Sequence, residues 1–312
     1  MKNKKLAIAI PTYNRASILK ENILLMLEEI RIYSIPIYIS DDSVDNDTES
    51  IIAEVKKEYE YVYYYKNHPG LGHDKNCLRT LALPTEEYIW YLGDSIIIKP
   101  GGIKKVLEII ENKKYDFVAV NAENRNIDFT SRIYDEGNKL LVEIGWHLTM
   151  TSATIYSNRI HKLIERLDLV KCKNFPQTAL IFESFAQGNS ELFWINDRII
   201  YGNKNKKSYW NNAVFDVFLI DWDFFISNLP SFYLNTNKKY VVQKHSEKTG
   251  LFTLMRFLDY RSKGIYSFQI LLKYLKQIRF NSKVNIVLLM LISIAPKWLL
   301  NILKRIFYPG RQ

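Results

Sequence analysis

The chain has 312 residues, 47% of them hydrophobic and 14% aromatic, which is enough apolar material for a substantial core in one large domain or two and excludes a disordered or fibrous chain. Its formal net charge of +10 raises nucleic acid as a partner, but the charge is unevenly spread. From Lys238 to Gln312 there are fifteen Lys or Arg against Glu247 and Asp259, whereas the rest of the chain carries 28 basic and 31 acidic side chains.

Met1-Lys2-Asn3-Lys4-Lys5 is basic, but the apolar run behind it, Leu6 to Pro11, is too short for a signal sequence, so a cytoplasmic N-terminus is expected. Leu6 to Ile10 is predicted as a strand, and Pro11 to Arg15 as the turn at its carboxyl end. Ser17 is expected to cap a helix whose apolar face is Ile18, Leu19, Ile23, Leu24, Met26, Leu27 and Ile30. A second strand, Pro36 to Ser40, runs into Asp41-Asp42-Ser43. Asp45 to Thr48 caps a helix from Glu49 to Glu58, and Tyr61 to Tyr65 is a third strand. Gly70-Leu71-Gly72 breaks the chain before a helix from His73 to Ala82, which leads to the apolar run Tyr88 to Leu92. That run reads as a strand buried on both faces, with Gly93 and Asp94 just past its end, and Pro100-Gly101-Gly102 opens an amphipathic segment from Ile103 to Ile110.

This β-α-β-α-β-α-β alternation builds a parallel sheet. Tyr13 and Asn14, Asp41 and Asp42, Asn67 and His68, and Asp94 then follow four successive strands and share one rim, where open α/β sheets bind ligands. Turn geometry alone also favours polar residues at such positions.

The ordered segments Ile8 to Arg15, Ile39 to Ser43, Gly72 to Asn76 and Leu92 to Asp94 resemble the motifs of family 2 glycosyltransferases of GT-A fold, over roughly residues 5 to 120. Within that family the likeness is greatest to bacterial enzymes of capsule or O-antigen synthesis. The resemblance implies a nucleotide-sugar donor site with Pro11, Thr12 and Tyr13 beside the base and Asp42 on its polar edge, a uridine being suited to a carboxylate acceptor. It implies Asp41, Asp74 and Asn76 along the ribose, sugar and phosphates, with Asn14, Arg15, Gly93, Asp94 and Ser95 completing the donor set. Family members carry two or three acids at the position of Asp94-Ser95-Ile96, because a divalent cation bridging phosphates wants carboxylate oxygens. Only Asp94 survives here as a metal ligand. Three alternatives follow: Asp94, water and the diphosphate still hold Mg²⁺ or Mn²⁺; a cationic side chain replaces the metal; or transfer is impaired.

Further along, Tyr115 to Val120, Leu140 to Ile144 and Thr149 to Tyr156 are predicted strands, Asn121 to Asn138 is polar without periodicity, and Asn158 to Leu167 is predicted helical. An inverting transfer needs a base for the acceptor hydroxyl, and the family places that acid at the start of a helix following an acceptor-side strand. The corresponding helix here, Pro176 to Gln187, begins without an acid. Glu183, two turns on, is the first candidate base and Asp197 the reserve; for Glu183 a solvated helix position is the competing reading. Tyr201 to Trp210 is a basic, aromatic-ended loop, read either as a lid placing a Lys on a phosphate or as solvated surface.

Val284 to Ala295 is nearly all apolar but too short to span a bilayer, and Trp298 to Tyr308 mixes aromatic, aliphatic and basic residues at helical spacing. That pattern fits a helix in the membrane interface, its cations near anionic headgroups, with a core helix as the alternative. Cys77 and Cys172, far apart and without CxxC spacing, fit a reducing compartment rather than a disulfide or zinc site. Because the basic residues are interleaved with apolar ones and no RNA or DNA motif is present, no nucleic-acid partner is expected.

The expected fold is α/β, GT-A, with a Rossmann-like, mostly parallel sheet and a helical, basic, membrane-associating C-terminal segment. Residues 1–120 form the nucleotide-sugar half, 121–237 the acceptor half and 238–312 the C-terminal region. The expected activity is inverting transfer of a sugar from a nucleotide-diphosphate donor, with UDP favoured, to a lipid-linked saccharide at the cytoplasmic face of the membrane, which the protein meets as a peripheral or monotopic partner. The alternative is a catalytically impaired scaffold of the same fold.

Overall fold

The computed structural model describes residues 1–123, 125, 127–203 and 212–296. The chain divides into two compact units, Met1–Lys207 with Asn228–Leu234, and Ser208–Ser227 with Asn235–Gln312. The halves anticipated on either side of residue 120 contribute strands to one sheet within the first unit.

In the first unit the opening alternation becomes β1 (Leu6–Thr12), α1 (Ala16–Ile32), β2 (Ile37–Asp41), α2 (Asp47–Glu58), β3 (Val62–Lys66), α3 (His73–Ala82) and β4 (Tyr88–Tyr91). It continues with β5 (Ile96–Ile98), α4 (Gly102–Asn112), β6 (Phe117–Ala122), β7 (Arg132–Tyr134), α5 (Gly137–Ile144), β8 (Thr154–Ser157), α6 (His161–Ile164), α7 (Pro176–Gln187) and β9 (Leu192–Gly202). The strands lie in the order β3-β2-β1-β4-β8-β6-β9-β5, with β7 also paired to β9. β3, β2, β1 and β4 are mutually parallel, and β8 enters antiparallel between β4 and β6. Because β1 connects onward to β2 on one side while β4 returns on its other side, the order reverses between β1 and β4. That is the switch point at which open sheets leave a crevice. Apolar residues of β1, β2 and β4, among them Ile8, Ile37 and Trp90, are fully buried, as a strand covered on both faces requires.

Local chemistry explains two of the boundaries. Gly101 has φ +82° and a Cβ on Gly102 would sit 2.6 Å from Ile98 Cγ2, so both glycines at the start of α4 are needed, one for conformation and one for space. Gly188 at φ +90° ends α7.

Four expectations are corrected. Leu140 to Ile144 is not a strand but the end of α5, whose buried Leu140, Leu141 and Ile144 follow the 3.6 period of one helix face. Ser17 does not cap α1: Arg15 holds the cap position, with no side-chain cap bond, and the helix is already under way at Ala16. The polar stretch 121–138 contains β7, which pairs with β9. The helix expected from Asn158 to Leu167 is a 3₁₀ turn, Asn158–Ile160, followed by the four-residue α6.

The second unit is helical. A π-helical turn, Asp216–Asp221, leads into α8 (Trp222–Ser227), followed by α9 (Asn235–Thr249), α10 (Leu254–Ser262), α11 (Phe268–Lys273), α12 (Leu275–Asn281) and α13 (Ile286–Ile294). Phe215 sits at its centre, with the rings of Phe252, Tyr266 and Tyr274 at 5.5, 5.9 and 5.6 Å. α13 leaves Val287, Leu291 and Ile294 exposed. Among the described residues no helix is long and apolar enough to cross a membrane. The interfacial helix expected at Trp298 to Tyr308 lies outside the described residues, as do residues 204–210 of the expected lid.

Candidate functional site

The crevice between β1 and β4 gathers side chains from β1, α1 and the turns before α1, after β4, before β8 and after β9. Asp94, in the turn after β4, is 7% exposed. Its Oδ1 accepts from Arg15 Nη1 at 3.0 Å and its Oδ2 from the Thr12 hydroxyl at 3.3 Å. Asn22 Nδ2 reaches the Asp94 carbonyl at 2.7 Å, and Asn203 Nδ2 in turn reaches Asn22 Oδ1 at 2.8 Å. Ser152 Oγ accepts from Gly93 N–H at 2.8 Å, so the turn carrying Asp94 is fixed from both sides. Thr12 lies opposite Asp41 in the β1–β2 register, which joins this crevice to the end of β2.

Asn22, Ser152 and Asn203 escape a reading of the sequence. Asn22 carries one signal: it is a polar residue, 1% exposed, inside the apolar stripe of Leu19, Ile23 and Met26 on α1.

The predicted donor residues divide by what already engages them. Tyr13 is 57% exposed at the rim, and Asn14, at φ +52°, donates its N–H to Ser43 Oγ at 2.8 Å. Pro11 pairs with Ser40 across the β1–β2 ladder. Asp42 accepts at Oδ1 from Asn67 Nδ2 (2.7 Å) and Leu71 N–H (3.1 Å), and at Oδ2 from Gly72 N–H (2.7 Å). A carboxylate offers about four lone-pair sites, so the loop it holds takes most of them. Asp41 is fully buried, accepting from Ser43 N–H and the Tyr64 hydroxyl, both at 2.8 Å, with Lys66 Nζ at 3.8 Å. Asn76 is 4% exposed and bonded to Ser40 and Asn67. Asp41 and Asn76 therefore brace the rim from within.

Asp74 does something unexpected. Its carboxylate spans from the first turn of α3 to the start of α7, where Oδ2 and Oδ1 accept from Asn174 N–H at 3.0 and 3.2 Å, while His73 Nδ1 lies 2.6 Å from Oδ1. A carboxylate from 100 residues earlier thus ties α3 to the segment that opens α7. Glu183, further along α7, is half-buried rather than solvated, and burial holds its carboxyl above the usual carboxylate range. Asp197 is exposed on β9 in an ion pair with Lys105 of α4. Cys77 and Cys172 are buried free thiols, each pushed up to about 12 by burial.

The donor set bears on the metal. A divalent cation wants several oxygen ligands. In the turn after β4, Asp94 supplies the carboxylate and is already paired with Arg15, the Ser95 carbonyl accepts from Asn203 N–H at 2.9 Å, and Ile96 enters β5, 4% exposed. Among the described residues no group of three His, Cys, Asp or Glu gathers as a metal site. These side chains do not fit a cation held by the chain alone.

A mostly parallel sheet with its acid at the switch point and a β-rich second half is the GT-A arrangement of glycosyltransferases. The profile of glycosyl transferase family 2 matches residues 7–182, more than half of the chain, and the chain belongs to that family. Abequosyltransferase RfbV of Salmonella typhimurium is 33% identical over 91 residues, which span 28% of this chain and 27% of that protein. S. aureus TarS 1-349 in complex with UDP-GlcNAc superposes with a TM-score of 0.58 at 14% identity, covering 88% of this chain and 81% of TarS. Mannosyltransferase PcManGT from Pyrobaculum calidifontis, in complex with GDP-Man and Mn²⁺, gives 0.55 at 10% identity over 100% and 89%.

Proposed function

We propose that the protein transfers one sugar, with inversion, from a nucleoside diphosphate donor, a UDP-sugar, to a lipid-linked saccharide in surface polysaccharide synthesis. The observation that carries this reading is the Arg15–Asp94–Thr12 cluster at the switch point of the sheet. In it Arg15 is the cation for the donor's diphosphate, a fixed charge that stabilises the leaving group as negative charge builds there. Tyr13, exposed at the rim, supplies an aromatic face for the base. No step is assigned to a metal.

Glu183 is the proposed base. Its raised carboxyl lies nearer working pH than an ordinary glutamate, as general-base work favours. It takes the proton of the acceptor hydroxyl as the oxygen bonds to the anomeric carbon, the bond from that carbon to the diphosphate breaks on the opposite side, and the electron pair leaves with the nucleotide. Asp74, bonded to Asn174 N–H, positions the helix that carries Glu183.

For location we propose the cytoplasmic face of the membrane. The exposed Val287, Leu291 and Ile294 on α13 and the basic C-terminal composition support it.

The test is incubation of the purified protein with radiolabelled UDP-sugars and a set of lipid-linked saccharides, followed by anomeric analysis of the product by NMR. One sugar added with inverted configuration supports the reading. Donor binding without transfer to any acceptor would instead favour a scaffold of this fold.

A further inference from the structure

The C-terminal unit contains a cavity of about 670 Å³ between side chains of α8, α9 and α12, within the size range of small-molecule sites. Its walls bring together Lys238 and Lys239 of α9 with Lys276 and Arg279 of α12, against a single lining carboxylate, Asp223 of α8. Lys276 and Arg279 are three residues apart and so share a helix face.

The distribution of acids makes this gathering unusual for the unit. Asp216 pairs with Lys273 at 3.4 Å, Asp259 with Lys263 at 2.7 Å, and Glu247 with both Lys244 and Lys283 at 2.9 Å. These three carboxylates thus face cations that do not line the cavity. Among the described residues Lys239, Lys276 and Arg279 make no ion pair, and Lys238 is a buried residue, 8% exposed. Desolvation lowers the affinity of Lys238 for its proton, the direction that a nearby anion reverses. Lys239, Lys276 and Arg279 are exposed on the cavity wall beside the buried Lys238; like charges gathered on a concave wall concentrate positive potential, and a compact group with several anionic oxygens relieves it.

We propose that this cavity is a binding site for a phosphate-bearing anion, held by Lys238, Lys239, Lys276 and Arg279. The ligand's source is either a phosphorylated lipid headgroup or a soluble diphosphate; the chemistry recognised is the same. The site lies within the C-terminal unit and stands whether or not the donor reading holds.

The test titrates the full chain with inorganic pyrophosphate by calorimetry. Lys239→Glu/Lys276→Glu/Arg279→Glu is compared with wild type and with Lys56→Glu/Lys57→Glu/Lys114→Glu, which makes the same charge change at exposed positions of the other unit. The milder Lys276→Gln/Arg279→Gln serves if the triple reversal fails to fold. Binding at the donor rim would persist in all variants and is separated on that basis. The expected result is a pyrophosphate site weakened at least tenfold by the cavity changes and unaffected in the control. Flotation with phosphatidylcholine vesicles, with and without phosphatidic acid, distinguishes the sources: recruitment by phosphatidic acid that the cavity changes abolish assigns the headgroup, and pyrophosphate binding without it assigns the soluble anion. Equal weakening in cavity and control variants, or no weakening by the cavity changes, overturns the proposal.

Discussion

Arg15 Nη1 lies 3.0 Å from Asp94 Oδ1, joining the turn after β1 to the turn after β4 across the point where the strand order reverses. The carboxylate that fixes the guanidinium is itself anchored through Thr12 and the Asn22 bond to the Asp94 carbonyl, and in the proposed function that guanidinium meets the donor's diphosphate. Asp94→Asn keeps the shape and removes the charge. It is expected to lower turnover roughly 10²–10³-fold, the usual loss when one transition-state donor is misplaced, without changing the melting temperature by more than a few degrees. Arg15→Lys, which keeps charge but loses the planar fork, is expected to fall between wild type and Arg15→Ala in kcat.

Asp42 organises the glycine loop. Asp42→Ala removes the acceptor of Leu71 N–H and Gly72 N–H and one of the three acceptors of Asn67 Nδ2, at a cost of about 0.5–1.5 kcal/mol for each bond lost. Urea unfolding measures the loss, and faster amide exchange at Leu71 and Gly72 localises it. Unchanged exchange at both would show that the loop is held by other means.

His147 gives the fold an acid sensitivity. It is fully buried, its Nε2–H donates to the Val120 carbonyl at 2.8 Å, and burial, with the Arg125 charge adding to it, lowers it to about 3 from 6.5. The unfolded chain therefore takes up a proton as pH falls through 6.5, while the folded chain does not until about 3. Stability from this group is complete above 6.5 and is lost as pH falls below it, by about 1.4 kcal/mol per pH unit. Urea titrations at pH 7, 6, 5 and 4 are expected to show a steeper decline for wild type than for His147→Gln. Equal slopes would contradict the assignment.

Glu183 carries the opposite sign. Its carboxyl is raised by burial, so the folded state holds that proton more tightly than the unfolded chain; the contribution is present at low pH and is lost as pH rises through the carboxylate range and up to the folded value. Glu183→Gln is expected to raise the melting temperature relative to wild type at pH 8 and to leave it level at pH 4. As the base, the same change lowers kcat roughly 10²–10⁴-fold with donor affinity unchanged. Full activity with the stability effect intact would leave Glu183 a buried structural acid.

The first four strands and three helices are legible in the sequence because apolar runs and amphipathic stripes are local signals, and α3 and α7 fall at the residues expected. Leu140 to Ile144 misleads because a five-residue apolar run carries too little period to separate helix from strand. β5 and β7, three residues each, are strands only because β9 supplies a partner. The site residues were half-legible for a related reason. Asp94 announces itself at a strand end, but its fixing by Asn22, Ser152 and Asn203, and the reach of Asp74 to Asn174, depend on contacts 59 to 181 residues apart in the chain.

The most direct measurement is calorimetric titration of wild type and Asp94→Asn with UDP- and GDP-sugars, in EDTA and again in Mn²⁺. The account predicts that one donor binds wild type in EDTA as well as in Mn²⁺, and that Asp94→Asn weakens it at least tenfold. Binding confined to Mn²⁺ would contradict the role given to Arg15, and failure of every donor under both conditions would contradict the donor site itself.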